Sequence, residues 1–198
     1  HHIRAAAYAV VKDDANITLF DNVSLNQLEL KDYSAQMHLS NDSVITSKLA
    51  AAADSRFSET RRKAGISASM HDFGKTMIVC QMEHDRDHMG VAHECFNHGH
   101  TLAVLPLNGN RSSVIITLPP TDADRMMKMP AIELNAWAVE QFQYRLGSMR
   151  LDSERFAYPL VGVYADRFVA QRFALVGDAA VGMHPVTAHG FNFGLKSA

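Results

Sequence analysis

The sequence is poor in the features that mark secreted, membrane-spanning and nucleic-acid-binding proteins. Among its 198 residues are only two cysteines, Cys80 and Cys95, and so few thiols indicate a reducing compartment and no disulfide framework. No apolar run approaches the length of about 20 residues that a transmembrane helix needs. The net charge of −2 and the pI of about 6.6 give no basic surface for nucleic acid. We therefore expect a cytoplasmic protein with no transmembrane segment and no nucleic-acid partner.

Two chemical motifs are absent as well. No glycine is followed by another glycine two positions later, so the Gly-x-Gly-x-x-Gly turn that binds a dinucleotide pyrophosphate is missing. No Ser-His-Asp or Cys-His constellation can be argued from the residue spacing. The sequence therefore offers no candidate protein nucleophile.

The residues that are present indicate a mixed α/β fold, and 47% of them are hydrophobic, which is enough for a core. An alanine-rich helix is predicted over residues 2–14. A second helix is predicted with Pro130 near its start and Gly147 past its end. An antiparallel sheet is predicted over residues 69–118, with a hairpin turn at Asn108-Gly109. Short strands are also predicted at Ile17–Phe20, at Val23–Leu30 and within Ser34–Ala53. The predicted buried stripe of the later helix consists of Ile132, Leu134, Trp137, Ala138, Phe142 and Leu146.

The stretch from Arg172 to the end of the chain carries the strongest chemical signal. The apolar run RFALVG is typical of a strand in a parallel sheet, and Asp178 follows it directly. This order places a carboxylate at the carboxyl edge of a sheet, where open α/β folds bind ligands. A helix is predicted to begin at Gly190–Asn192, and its free N–H groups favour negative charge nearby. The alternative is that Asp178 only caps a strand-turn-helix connection.

Two internal motifs resemble a known family. GDAAVGMHPVTAHGFNFGL, from Gly177, is similar to the second flavin-contacting motif of the FAD-dependent aromatic-ring monooxygenases of the p-hydroxybenzoate hydroxylase type. AAADSRFSETRRKAGI, from Ala51, resembles the Asp-Gly-x-x-Ser-x-x-Arg motif of that family. The tripeptide YPL and the segment 71–96 are similar to one branch, the hydroxylases of ubiquinone biosynthesis.

The resemblance implies both a fold and an activity. The implied fold is part of a FAD-binding three-layer domain, over residues 1–66 and 159–198, plus an antiparallel substrate-binding sheet with covering helices over 67–158. Since the Gly-rich turn is missing, we expect an internal fragment of a longer flavoprotein. The implied activity inserts one oxygen atom from O2 into the ring of a ubiquinone precursor, a prenylated phenol or demethoxyubiquinol. FAD is the implied cofactor and NAD(P)H the implied reductant, so the cofactor carries the hard chemistry.

The resemblance also implies roles for individual residues. Asp178 would bind the ribityl hydroxyls of FAD, Pro185 and the Thr187–Gly190 turn would lie along the isoalloxazine, and the Gly190–Asn192 backbone would face its pyrimidine edge. Asp54 and Arg61 would link FAD to the approach of the nicotinamide. The sequence departs from the family at Ser55, where glycine is expected, and at Ala188-His189, where Gly-Gln is usual. The implied cofactor-binding residues are Asp54, Arg61, Gly177, Asp178, Pro185, His189, Gly190, Phe191 and Asn192.

Three other interpretations stay open at this point. The protein could be a non-catalytic quinone- or lipid-binding module, or a flavoprotein hydroxylase of another aromatic substrate. A histidine- and acid-rich segment, 84–100, could hold a metal, although most of its histidines are expected in solvated turns and no metal site is predicted. Implied partners are an apolar phenol or quinol, O2 and other proteins of ubiquinone biosynthesis, with peripheral association at the inner membrane.

Overall fold

The fold is mixed α/β, as predicted. The computed structural model describes residues 2–185 and 189–197. The helices of the described residues are α1 (His2–Asp13), α2 (Glu59–Lys63), α3 (Pro120–Lys128), α4 (Ala131–Gln141) and α5 (Gly190–Ser197). The strands are β1 (Leu25–Leu30), β2 (Ala35–Leu39), β3 (Val44–Ser47), β4 (Ala50–Ala52), β5 (Ala68–His84), β6 (His93–Phe96), β7 (Thr101–Pro106), β8 (Arg111–Leu118), β9 (Met149–Leu151), β10 (Phe156–Ala165), β11 (Val169–Ala170), β12 (Phe173–Leu175) and β13 (Val181–Gly182).

The chain divides into two compact units. The first contains His1–Ser69, Tyr164–Val181 and Gly190–Ala198, and the second contains Met70–Val163 and Gly182–His189. In the described residues, no helix is both long enough and apolar enough to cross a membrane.

The first unit contains two small sheets. Strands β1, β2 and β3 form an antiparallel sheet in that order, and a second sheet has the order β11-β12-β4. Within the second sheet β12 runs parallel to β4, with Phe173 opposite Ala50 and Leu175 opposite Ala52. Phe173 and Leu175 are buried, so the predicted buried parallel strand is confirmed.

The core of the second unit lies between a sheet and two helices. The sheet has the strand order β13-β10-β5-β8-β7-β6, and β9 also pairs with β5. Because side chains alternate between the faces of a strand, one face of β5, β7 and β8 packs beneath α3 and α4. The buried residues of this face are Ile78, Cys80, Met82, Leu102, Val104, Val114, Ile116 and Leu118. Strands β5 to β8 confirm the predicted antiparallel sheet, and Gly109 has a positive φ of 66° in the predicted hairpin turn.

Two secondary-structure predictions were wrong. Residues Ile17–Phe20 form no strand, and their apolar side chains stay partly exposed because no neighbouring strand pairs with them. Helix α4 ends at Gln141 rather than near Gly147, since Gln143 and Tyr144 both have a φ of 56°, which right-handed helix does not allow.

The predicted buried stripe of α4 is correct in part. Leu134 and Ala138 are buried on the helix, and Phe142 and Leu146 are buried beyond its end. Ile132 is 78% exposed, so its place in the stripe was wrong. It lies in the first turn of α4, and apolar spacing alone could not show that its side chain stays exposed.

Candidate cofactor and substrate site

Two acidic residues follow neighbouring parallel strands of the first unit. Asp54 comes just after β4, and Asp178 comes just after β12. The Val176 N–H donates to the Ala52 carbonyl over 2.9 Å, which extends the pairing of the two strands toward these residues. Both acids therefore lie past the same carboxyl edge, where α/β sheets bind ligands.

The Asp178 carboxylate is oriented by a neighbouring side chain but remains accessible to solvent. It lies on a 3₁₀ turn, Gly177–Ala179, whose first residue has a φ of 61° that favours glycine. Its Oδ2 accepts a hydrogen bond from Arg56 Nη2 over 3.2 Å, and its side chain remains 38% exposed. A charged acceptor that is oriented and still reachable can bind the hydroxyl groups of a ligand.

The Arg61 side chain is buried against this turn and is not exposed to solvent. Its side chain is 1% exposed, and its Nη1 donates to the carbonyl oxygens of Ala179 over 2.8 Å and Arg56 over 3.1 Å. Among the described residues its buried Nε has no hydrogen-bond partner. The guanidinium therefore ties the loop after β4 to the turn that carries Asp178.

The loop after β4 is ordered by its own side chains. Ser58 caps α2, with its Oγ accepting from the Arg61 backbone N–H over 2.9 Å. Asp54 Oδ2 accepts from the Thr60 N–H over 3.3 Å, so this carboxylate is directed at the first turn of α2. Such bonds satisfy amide groups that a helix N-terminus leaves free.

Helix α5 packs closely against the Asp178 turn. A side chain at Gly194 would place its Cβ only 3.3 Å from the Cα of Gly177, so glycine at both positions lets the two backbones approach. Gly190, Phe191 and Asn192 form the first turn of α5, as predicted. The amide groups of such a turn have no partner within the helix and favour an electron-rich or anionic group.

The remaining predicted residues belong to the second unit. Pro185 and His189 are both exposed, and Pro185 lines a cavity in that unit. Thr187 and Ala188 of the predicted turn lie outside the described residues.

The cavity has a volume of about 750 Å³, within the range of small-molecule sites. It lies on the face of β5, β7 and β8 that does not pack on α3 and α4, because the lining residues alternate with the buried ones. Apolar residues provide most of its wall. Its lining includes Phe73, Met77, Phe96, Ala103, Leu105, Ile115 and Leu160 together with Lys75, Glu94, Thr101, Thr117 and His184.

The histidine- and acid-rich segment is held by ordinary hydrogen bonds. His84 is buried, with Nδ1 2.8 Å from the Arg86 carbonyl oxygen and Nε2 3.0 Å from Ser112 Oγ. Hydrogen bonds from Ser148 hold the pKa of Asp85 below its usual value. In the described part of the chain no three histidine, cysteine or acidic side chains are grouped to hold a metal ion.

Sequence reasoning did not single out Arg56 or Lys75. Arg56 is visible inside the Asp54–Arg61 motif, but its pairing with Asp178 joins residues 122 positions apart. Lys75 is the only lysine of β5 and directly follows Gly74, which is a weak signal for a cavity residue.

Comparison with known families shows to which family this chain belongs. A family model described as a FAD binding domain matches residues 22–198. The chain belongs to the FAD binding domain family. It is 46% identical over 198 residues to ubiquinone hydroxylase UbiM of Neisseria meningitidis, covering 100% of this chain and 43% of that protein. It is 40% identical over 158 residues to ubiquinone hydroxylase UbiL of Rhodospirillum rubrum, covering 80% of this chain and 37% of that protein.

The fold of this family member is shared with solved structures. One is p-nitrophenol 4-monooxygenase PnpA of Pseudomonas putida, with a TM-score of 0.77 and 18% identity over 96% of this chain and 49% of that one. The chain spans less than half the length of the two ubiquinone hydroxylases it matches.

Proposed function

We propose that this chain is part of a flavin-dependent monooxygenase that hydroxylates the ring of a ubiquinone precursor, a prenylated phenol or demethoxyubiquinol, with O2. The observation that carries the proposal is the Asp178 carboxylate, oriented by Arg56 past the edge of a parallel pair of strands. The similarity to ubiquinone hydroxylase UbiM supports the substrate class. NAD(P)H is the proposed reductant.

The residues of the first unit fit FAD. Asp178 is a charged acceptor for ribityl hydroxyls, and the first turn of α5 offers amide groups to an electron-rich ring edge. The close contact of Gly177 and Gly194 leaves no side chain between that turn and α5. When bound, FAD supplies the redox chemistry with O2 that no side chain of this chain can supply. The chain's own part is to bind, orient and keep water from the reacting ring.

Asp54 and Arg61 take different parts in this proposal. Arg61 is buried and bonded to the Ala179 carbonyl, so it supports FAD binding by fixing the turn next to Asp178. Asp54 is bonded to α2 and helps to order the same loop. Their assignment to a nicotinamide approach stays a prediction, as do the assignments of Pro185 and His189.

Two parts of the chain have different proposed tasks, and their bounds differ from those of the two compact units. We assign FAD binding to residues 1–66 and 159–198 and substrate binding to 67–158, on the motifs found in each. The cavity, of about 750 Å³ with a largely apolar wall, supports the second assignment because an apolar phenol with a prenyl tail would bury its surface there. A cytoplasmic location at the inner-membrane surface and contact with other proteins of the pathway follow from the same proposal.

The deciding experiment uses the full-length protein purified with its flavin. We expect prenylated phenols to stimulate NAD(P)H oxidation and to gain one oxygen atom from isotopically labelled O2, which mass spectrometry detects. Stimulation by p-hydroxybenzoate and never by prenylated phenols would overturn the substrate class. A preparation that stays colourless under every reconstitution with FAD would instead favour the non-catalytic binding module.

A further inference from the structure

A second cavity of the second unit lies on the helix side of the sheet. It is lined by the turn 98–100, Leu118, residues of α3 and Trp137 of α4, and is here called the Trp137 pocket. Its volume of about 280 Å³ is slightly smaller than that of most small-molecule sites, about 300–1,000 Å³. Gly99 and His100 also line the larger cavity, whereas Leu118 and Trp137 pack with the core between the sheet and the helices. The Trp137 pocket is therefore a separate site with room for a ligand of one ring.

One part of the pocket wall is apolar and aromatic. Leu118 and Met126 belong to the core of the unit, and Met129 is partly buried against that core. The Trp137 indole contacts the His100 imidazole, with 5.3 Å between the ring centroids. Aromatic rings and thioethers both pack favourably against a ligand ring, so this part of the wall suits an aromatic group.

The polar groups that the pocket leaves available are hydrogen-bond donors. Asn97 Nδ2 donates to His100 Nε2 over 3.2 Å, which puts the proton of the neutral imidazole on Nδ1. Within the described ranges, neither this Nδ1–H nor the Trp137 indole N–H donates to another protein group. Arg125 donates to Asp122, but a guanidinium has five N–H donors and can bind a second carboxylate as well. The ligand therefore has to supply acceptors.

Positive charge exceeds negative charge around the pocket. Asp122 is the one carboxylate among the described lining residues, and Arg125 pairs with it. Arg155 adds a second guanidinium next to the wall, because its Nη1 donates to the carbonyl oxygens of Met126 and Met129 over 2.6 and 2.7 Å. In the described part of the chain Arg155 pairs with no carboxylate. An anion in the pocket is thus attracted by two cations and repelled by one carboxylate.

We propose that the Trp137 pocket binds an aromatic carboxylate with a single ring. The ring packs on Trp137 and the two methionines, and the carboxylate accepts hydrogen bonds from Arg125 and His100. A neutral ring or a bare anion would make only half of these contacts. This site lies outside the proposed function and depends on neither the flavin nor the ubiquinone precursor.

The test uses fluorine NMR of the full-length protein, purified with its flavin and labelled with 5-fluorotryptophan. The Trp137 signal is the one that is missing from Trp137→Phe. Benzoate should shift this signal and saturate with a Kd of about 1 mM or below, the affinity expected of so small a ligand. Benzamide has nearly the same shape without the charge and should bind at least about fivefold more weakly.

Two substitutions on α3 form a matched pair. Arg125→Gln removes the guanidinium of the pocket and should weaken benzoate binding by about fivefold, the effect of losing one largely exposed ion pair, while benzamide binding stays unchanged. Lys128→Gln removes an exposed cation that is not among the described lining residues, and it should bind both probes like the wild type. Arg125→Lys keeps the charge and should restore part of the benzoate affinity.

The contrary results are distinct from one another. If neither probe shifts the Trp137 signal, the pocket binds no such ligand and the proposal is wrong. Equal binding of benzoate and benzamide would show a site for neutral rings and would overturn the choice of an anion. Equal losses in Arg125→Gln and Lys128→Gln would reveal a general effect of charge, and loss of both probes in Arg125→Gln a structural effect, and each would overturn the contact with Arg125.

Discussion

In the described residues, an ion pair with Arg56 orients the Asp178 carboxylate, and the remaining exposure of that carboxylate is what a ligand would use. In the full-length protein, Asp178→Ala should weaken FAD retention by about ten- to a hundredfold. The reason is the loss of a charge-assisted hydrogen bond to a ribityl hydroxyl, which contributes about 1.5–3 kcal/mol. The measurement is the flavin-to-protein ratio after gel filtration.

Asp124→Ala provides the control for this substitution. Asp124 is an exposed carboxylate of α3 in the second unit, and its removal should leave the flavin content as in the wild type. An unchanged ratio in Asp178→Ala would contradict the assignment of this carboxylate to FAD.

Cys80 makes the stability of the protein depend on pH in the alkaline range. Burial raises the pKa of its thiol from 9.0 to about 11. Above pH 9 the unfolded chain releases this proton while the folded chain keeps it, so the free energy of unfolding falls as the pH rises toward 11. The full loss is about 2–3 kcal/mol.

Urea unfolding of wild type and Cys80→Ala at several alkaline pH values measures this loss. The alanine variant starts from a lower stability because it creates a small cavity, but its profile should fall less steeply between the two pKa values. Parallel profiles would show that the thiol contributes nothing to the alkaline loss.

At the scale of secondary-structure elements, the Arg155 side chain contacts and stabilises the end of α3. Arg155 Nη1 donates to the carbonyl oxygens of Met126 and Met129 over 2.6 and 2.7 Å, and the Met126 carbonyl also accepts from the Met129 N–H over 3.3 Å. Arg155→Met should lower the free energy of unfolding by about 1.5–3 kcal/mol, since the lost bonds involve a charged donor. Thermal or urea unfolding measures the change.

Arg150→Met is the matched control at this scale. Arg150 forms an ion pair with Glu83 across β9 and β5, and both side chains are largely exposed. Exposed pairs contribute at most about 1 kcal/mol, so this variant should stay close to wild type. If Arg150→Met lowered the free energy of unfolding as much as Arg155→Met, the stabilising role assigned to the contacts between Arg155 and the end of α3 would be contradicted.

In the proposed function Asp178 serves the ribityl side of FAD, but the sequence contains no Gly-x-Gly-x-x-Gly turn. We expect the 198 residues alone to bind FAD with a Kd of about 1 mM or weaker. The two phosphate charges would lack the backbone N–H partners that bind them strongly, and ordering the ligand costs several kcal/mol, about 4 or more. Quenching of flavin fluorescence on titration measures the affinity.

Riboflavin is the internal control for this expectation. If the chain binds only the ribityl side, riboflavin and FAD should bind with similar affinity because the phosphates add little. Saturation at low micromolar FAD, with much weaker riboflavin binding, would show that the chain binds the pyrophosphate without a Gly-rich turn.

Local signals in the sequence determined several parts of this protein. The apolar run before Asp178 specified the buried strand β12, because a strand buried on both faces needs no alternation. Gly109 specified the β7–β8 hairpin, because a positive φ there costs glycine nothing. The motif around Asp178 identified the family, since its residues are neighbours along the chain. The same local signals gave wrong predictions at Ile132 and Ile17–Phe20, because burial and strand pairing there depend on which other elements pack against these residues.

Only the tertiary structure decided which groups of the site work together. Arg56 meets Asp178 across 122 positions, and Arg61 reaches Ala179 across 118, so neither contact leaves a trace in local spacing. The place of Lys75 in the cavity wall likewise depends on which faces of the strands share one cavity. Periodicity shows that a strand has two faces, but strand register and the position of the covering helices determine which face is buried and which is left to a ligand.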